Sequence, residues 1–167
     1  MSGMKVESAG ILLSRKEMAL LAGLTGIGGG SLDEADANAA AAGLEQGGLI
    51  RRTDEGFQVE ERLYGLLKRI AASPKAWALM AGGRVWALYE GGGIPILIRG
   101  SEGGGVSITP LEDKETASAC LLDALEESDE ASFRWGLTGE ASVEGGKDAV
   151  AGLIRADLLE RQWPWNG

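Results

Sequence analysis

The sequence of 167 residues contains no histidine, which removes the side chain that most often acts as general base and as transition-metal ligand near neutral pH. Ser-His and Cys-His catalytic sets cannot be assembled from it. A single cysteine, Cys120, allows no internal disulfide, so nothing in the chain calls for an oxidising compartment and the cytoplasm is the expected location. Basic residues are scarce: 16 Lys and Arg stand against 25 Asp and Glu, a net charge of −9 whose sign opposes phosphate backbones and anionic bilayers. Nucleic acid is not an expected partner. No apolar run reaches the roughly 18 residues a membrane-spanning helix needs, because Gly, Arg or Glu interrupts each one. Residues 1–10, with Lys5 and Glu7, lack the apolar stretch of a secretory signal. Neither membrane insertion nor export is expected.

What is present suffices for a core: 44% of the residues are hydrophobic, enough for one domain or for two subdomains sharing a core. Ser14 with Glu17 forms a capping-box signature that opens a first helix, and Gly23 is the expected stop. The glycine-rich stretch 23–30 reads as a connector. Ser31 with Glu34 repeats the signature for a second helix reaching about Gln46, with Gly47 and Gly48 as its stop. Residues 49–52 and 57–59 then flank Thr53-Asp54-Glu55-Gly56, a hairpin turn sequence. In the next segment Leu63, Leu66, Leu67 and Ile70 fall at i, i+3, i+4 and i+7, the spacing of a helix with one buried face, and Ser73-Pro74 ends it.

From Ala76 the period changes to two. Strands are predicted at 76–81, 84–90, 94–99 and 106–109, each bounded by glycine, and short glycine loops favour a sequential antiparallel meander. Alternation places Trp86 and Leu88 on one face of the sheet and Val85, Ala87 and Tyr89 on the other, so both faces are expected to be at least partly covered. A helix at about 113–126 presents Ala117, Cys120, Leu121, Ala124 and Leu125. A weaker fifth strand is read at 132–137, and a final helix at about 147–161 buries Val150, Leu153, Ile154 and Leu158. The expected fold class is α+β: an N-terminal helical, winged-helix-like subdomain with a small hairpin over residues 1–74, followed over 75–167 by an antiparallel β-meander packed with C-terminal helices, the two parts sharing one core.

Sites that suggest chemistry dissolve on inspection. Gly145-Gly146-Lys147 is the nearest approach to a phosphate loop, but Ala141 and Asp148 stand where such a loop needs glycine and Ser or Thr. The helix that would read DNA in a winged-helix arrangement carries Asp33, Glu34, Asp36 and Glu45 and no Lys or Arg. Acidic clusters at 112–115 and 126–130 lack the Asp-x-Asp-x-Asp-Gly pattern of a calcium loop. Cys120 falls on an apolar helix face and reads as a core residue. No catalytic residue, metal ligand or cofactor is therefore expected. Five tryptophans are a stronger signal, since Trp is enriched at interaction hot spots. Trp77, Trp86 and Trp135 fall in predicted strands and read as core. Trp163 and Trp165, around Pro164, either dock on their own domain or meet a partner; together with Tyr89 and the Gly91-Gly92-Gly93 loop they are the candidate partner-binding residues.

The middle of the chain also carries a family pattern. Leu44, Gly48 and Leu49 end one helix, the segment Leu63-Tyr64-Gly65-Leu66-Leu67 leads to Pro74, and Trp86-Ala87-Leu88 sits in a meander strand. Over roughly residues 39–125 this succession resembles the EspG family of type VII (ESX) secretion-associated proteins. The resemblance implies a non-enzymatic cytosolic chaperone that binds helical-hairpin secretion substrates and keeps them soluble. Complete members look like two related halves sharing a sheet, whereas this chain is long enough for about one, which implies that two copies pair as a homodimer. The alternative reading is a winged-helix-like protein-interaction or regulatory module unrelated to secretion.

Overall fold

The computed structural model describes residues 11–25, 32–72, 75–90, 94–101 and 104–160. Gly82 and Gly83, at φ of +54° and +80°, make the two-residue turn whose twist suits a hairpin. It joins β4 (Ala76–Ala81) to β5 (Arg84–Glu90), paired from Ala81↔Arg84 to Ala76↔Tyr89. β6 (Pro95–Ser101) and β7 (Val106–Pro110) continue the meander antiparallel to it. The meander expected from the glycine spacing is present, and it grows at both sides. β1 (Ile11–Leu13) pairs with β7, while β8 (Phe133–Leu137) and β9 (Val143–Gly145) add beyond β4. The result is a seven-stranded antiparallel sheet in the order β1-β7-β6-β5-β4-β8-β9. A second, two-stranded sheet pairs β2 (Ile50–Thr53) with β3 (Gly56–Val59).

Helices lie on both faces of the large sheet, as the alternation in β5 requires. Trp77, Leu79, Trp86, Leu88 and Leu97 point to a face covered by α4 (Lys114–Glu127) and α5 (Lys147–Arg155), with Leu121, Leu125, Val150 and Ile154 completing that cluster. Leu13, Ile96 and Ile108 point the other way, into a cluster with Leu21 of α1 (Arg15–Thr25), Leu44 of α2 (Glu34–Gln46) and Leu63, Leu66, Leu67 and Ile70 of α3 (Glu61–Ala72). The buried residues thus form two clusters, one on each side of the sheet, and the N-terminal segment contributes β1 to the sheet itself. The fold is α+β with an antiparallel sheet.

Local signals explain the helix ends. Ser14 and Glu17 exchange reciprocal bonds, Ser14 N–H to Glu17 Oε1 at 2.8 Å and Glu17 N–H to Ser14 Oγ at 3.1 Å, which is the capping box the sequence predicts. α1 does not stop at Gly23; it runs two residues further to Thr25, whose hydroxyl donates to Leu21 O at 2.7 Å, because Leu21 and Thr25 are buried and packing outweighs the low helix propensity of glycine. The cap of α2 is Asp33, which accepts from Asp36 N–H at 2.7 Å. Ser31, where the sequence signature puts the start of this helix, lies outside the described residues. The last helix also departs from expectation: after Arg155 it widens into a π-helical turn, Ala156–Glu160, that buries Asp157 and Leu158 together.

Two caps link stability to acid. Asp113 accepts from both the amide and the hydroxyl of Thr116, each at 2.8 Å, and Glu60 accepts from the amides of Arg62 and Leu63, each at 2.9 Å. Backbone N–H donors favour the ionised form, so both carboxyls titrate below their usual range in the folded chain. A group lowered by folding contributes stability above its unfolded pKa and loses it as pH falls through the folded one. The urea midpoint is therefore expected to hold from about pH 6 down to about pH 5 and to fall below about pH 4. Asp113→Asn keeps an accepting oxygen without the titration, so its acid-side decline should be shallower; an unchanged slope would show that the Asp113 cap does not contribute.

Candidate functional site

A depression of about 710 Å³ lies between the end of α1, the β2-β3 hairpin and the start of α3. Its floor is Ile50, its walls are Phe57 and Val59 from the hairpin, and its lips are Leu24 from α1 and Tyr64 from α3. Leu24 and Tyr64 are 39% and 44% exposed, which is high for side chains of their size. Tyr64 follows Leu63 by one residue, a rotation of about 100° on a helix, so it leaves the buried stripe and faces the opening.

Each wall is pinned. α2 ends in a Schellman motif: Leu49 N–H donates to Leu44 O at 2.9 Å and Gly48 N–H to Glu45 O at 3.1 Å, with Gly48 at φ +75°. This closure, which the sequence predicts from Gly47 and Gly48, aims β2 back along the cleft. Glu60 N–H then donates to Leu49 O at 2.8 Å, tying the start of α3 to the same corner. Gly48→Ala keeps the space but forces a Cβ into the left-handed region, at a cost of about 1–2 kcal/mol that should appear as a lower Tm; an unchanged Tm would mean that the corner relaxes freely. The hairpin is held from outside by Arg52, whose guanidinium lies 4.8 Å from the Phe57 ring centroid and pairs with Glu45 at 3.1 Å. Arg51 bonds Gln58 across the strands. Lys16 pairs with Asp36 at 2.9 Å and so joins α1 to α2. Asp33, Asp36 and Glu45 of the acidic second helix thus cap it or bind it to its neighbours.

The ionisable groups at the rim are Arg51, Glu60, Glu61 and Tyr64. Glu60 is committed to the α3 amides, so the cleft holds no pair of carboxyls free to exchange a proton. What it offers is a shaped apolar surface with one exposed acid, Glu61, at its end. Among the described residues no group of three or more His, Cys, Asp or Glu is placed to hold a metal ion.

Of the sequence-predicted contact residues only Tyr89 is among the described ones, and it does not line this cleft. Tyr89 packs beside the cluster under the N-terminal helices, where burial raises its phenol pKa. Gly91, Gly92, Gly93, Trp163 and Trp165 lie outside the described residues. Cys120 packs against the C-terminal cluster and is half-buried, and burial pushes its thiol up, away from the reactive thiolate. Lys147 of the glycine-rich stretch donates to Glu126 O at 3.2 Å, a cation placed at the C-terminal end of α4. The cleft residues Leu24, Phe57, Val59 and Tyr64 were not among the sequence candidates; the available signal was that Tyr64 and Leu24 are large apolar side chains off the buried stripes. Compared with known proteins, the chain matches no family model and no curated protein.

Proposed function

We propose that this chain is a non-enzymatic adaptor of the cytoplasm that holds a helical segment of a protein partner in the cleft between α1, the hairpin and α3. The observation that carries the reading is that Leu24 and Tyr64, both exposed, line the same cleft as the buried Ile50, an apolar surface of the kind that receives the apolar face of an amphipathic helix. The resemblance of residues 39–125 to EspG proteins supports a type VII secretion substrate as that partner, and a chaperone role in which the cleft shields apolar residues before export. The homodimer implied by the half-length resemblance belongs to the same reading. A winged-helix-like interaction module outside secretion would use the same cleft, and the succession α1, α2 and hairpin, locked by Lys16–Asp36 and Arg52–Glu45, favours that second reading.

The direct test titrates the protein with a labelled amphipathic helical peptide, apolar at i, i+3, i+4 and i+7 with lysine on its polar face to meet Glu61, and with its scrambled isomer. Saturable binding of the ordered peptide alone is the expected result. Equal binding of both peptides, or of neither, would refute the cleft as a helix site.

A further inference from the structure

On the opposite face of the large sheet, the strand register lines up four side chains from four strands. Trp86 of β5 stands opposite Arg99 of β6, Arg99 opposite Ser107 of β7, and Ser107 opposite Leu12 of β1. Cross-strand partners share a face, so these side chains form one row, and Arg84, two residues before Trp86, lies on the same face and diagonal to Arg99. The row borders a shallow depression of about 230 Å³. α4 covers the neighbouring part of this face and reaches the row at Cys120, which feels the charge of Arg99. Beyond that point no described element covers the face: Arg84 and Arg99 are exposed, and Leu12 is 77% exposed. Gly105 makes the edge possible, because a Cβ there would sit 2.8 Å from Leu13 O and push β1 off β7.

Two arginines as diagonal neighbours repel, and in a chain of net charge −9 carboxylates are plentiful, yet among the described residues neither forms a salt bridge. Lys16, Arg52 and Lys75 do pair with carboxylates, whereas among the described residues Asp123, the next acid along α4 from Cys120, forms no ion pair with Arg99. Arg84 instead stacks over the Trp86 ring at 4.8 Å from its centroid, an arrangement that fixes the guanidinium plane and leaves its in-plane N–H donors available. One guanidinium fork preset by stacking, a second on the neighbouring strand, a hydroxyl and an adjoining exposed leucine make a donor site with an apolar flank.

We infer that Arg84, Arg99 and Ser107 bind a carboxylate carried on a short apolar arm, with the arm lying along Leu12 and the rim of Trp86. Bidentate guanidinium recognition matches the planar carboxylate, and the apolar flank would be wasted on a bare inorganic anion. Polyanions are disfavoured, because the repulsion of the whole chain grows with their charge, whereas a single carboxylate within a screening length of about 8 Å senses mainly the two arginines. A peptide C-terminus and a free carboxylic acid share this chemistry.

The test follows amide, indole and guanidinium NMR signals of the full chain during titration with N-acetyl-leucine, N-acetyl-leucinamide, inorganic phosphate and an acetylated tetrapeptide ending in leucine acid. Saturable shifts at Trp86 Nε1–H, Ser107 and Leu12 are expected with N-acetyl-leucine, with at least tenfold weaker binding of the amide. Arg99→Gln and Arg84→Gln should each weaken the acid at least fivefold while signals elsewhere stay in place, since both side chains are exposed. Tighter binding of the tetrapeptide than of N-acetyl-leucine supports the site with a peptide C-terminus as its source, and equal binding supports it with a free acid. Phosphate binding more tightly than N-acetyl-leucine, an amide as good as the acid, or no saturable shift from any probe would overturn the inference.

Discussion

Trp135→Ala is expected to lower the unfolding free energy by about 3–5 kcal/mol, much of what a domain of this size has in total. Trp135 is 1% exposed on β8, its ring stacked on Trp77 with centroids 5.2 Å apart and planes within 5°. Its indole N–H donates to Asp157 Oδ2 at 2.8 Å, a bond between the sheet and the π-helical turn. Truncation removes the stack, opens a cavity at the centre of the C-terminal cluster and takes a donor from a buried carboxylate. Asp157→Ala should cost less, about 1–3 kcal/mol, because it leaves the packing in place and strands one buried N–H. Trp135→Phe with Asp157→Leu should cost less than the sum of Trp135→Phe and Asp157→Leu made singly, since the indole donor and the carboxylate that accepts from it are then removed together. Urea unfolding followed by circular dichroism at fixed pH gives all the values. If Asp157→Ala moved stability by less than about 0.5 kcal/mol, the bond would not be what holds the π-helical turn to the sheet.

The elements legible in the sequence are those whose signals are local. The β4-β5 hairpin followed from two adjacent glycines, α3 from four leucine and isoleucine positions on one stripe, α1 from a capping box, and the two-faced burial of β5 from strict alternation. What was hidden depends on contacts distant in sequence. Ile11–Leu13 is too short to carry a period and becomes a strand only because β7, almost a hundred residues away, presents an edge beside Gly105. Val143–Gly145 is hidden in the same way by its shortness. β8 was legible as a strand but not its place: α4 carries the chain across the sheet, so it returns beside β4 instead of extending the meander from β7. Gly23 misled because propensity is a weak term beside the burial of Leu21 and Thr25. The cleft is harder still, since it is assembled from Leu24, the hairpin and Tyr64, and no single window of sequence contains all three. Aromatic residues outside the predicted elements drew attention to Trp163 and Trp165, while Tyr64 looked like one more residue of an amphipathic helix.

The cleft can be separated from the fold by substitution at its lips. Leu24→Gln combined with Tyr64→Gln should weaken the amphipathic peptide by about a hundredfold, close to 3 kcal/mol, because large side chains at the centre of an interface commonly contribute more than 1 kcal/mol each. Glutamine retains good helix propensity, and both positions are substantially exposed, so stability should stay within about 0.5 kcal/mol at each site. Leu159→Gln supplies the control: Leu159 is similarly exposed, at 38%, but stands on the π-helical turn across the sheet, and its replacement should leave peptide affinity unchanged. Glu61→Lys tests the polar end, where reversal of charge should weaken a lysine-bearing peptide several-fold at low salt and have less effect as salt screens the contact. Loss of affinity accompanied by an equal loss of Tm would mean that Leu24 and Tyr64 support the fold. Affinity held within twofold in the double variant would place the helical partner somewhere other than this cleft.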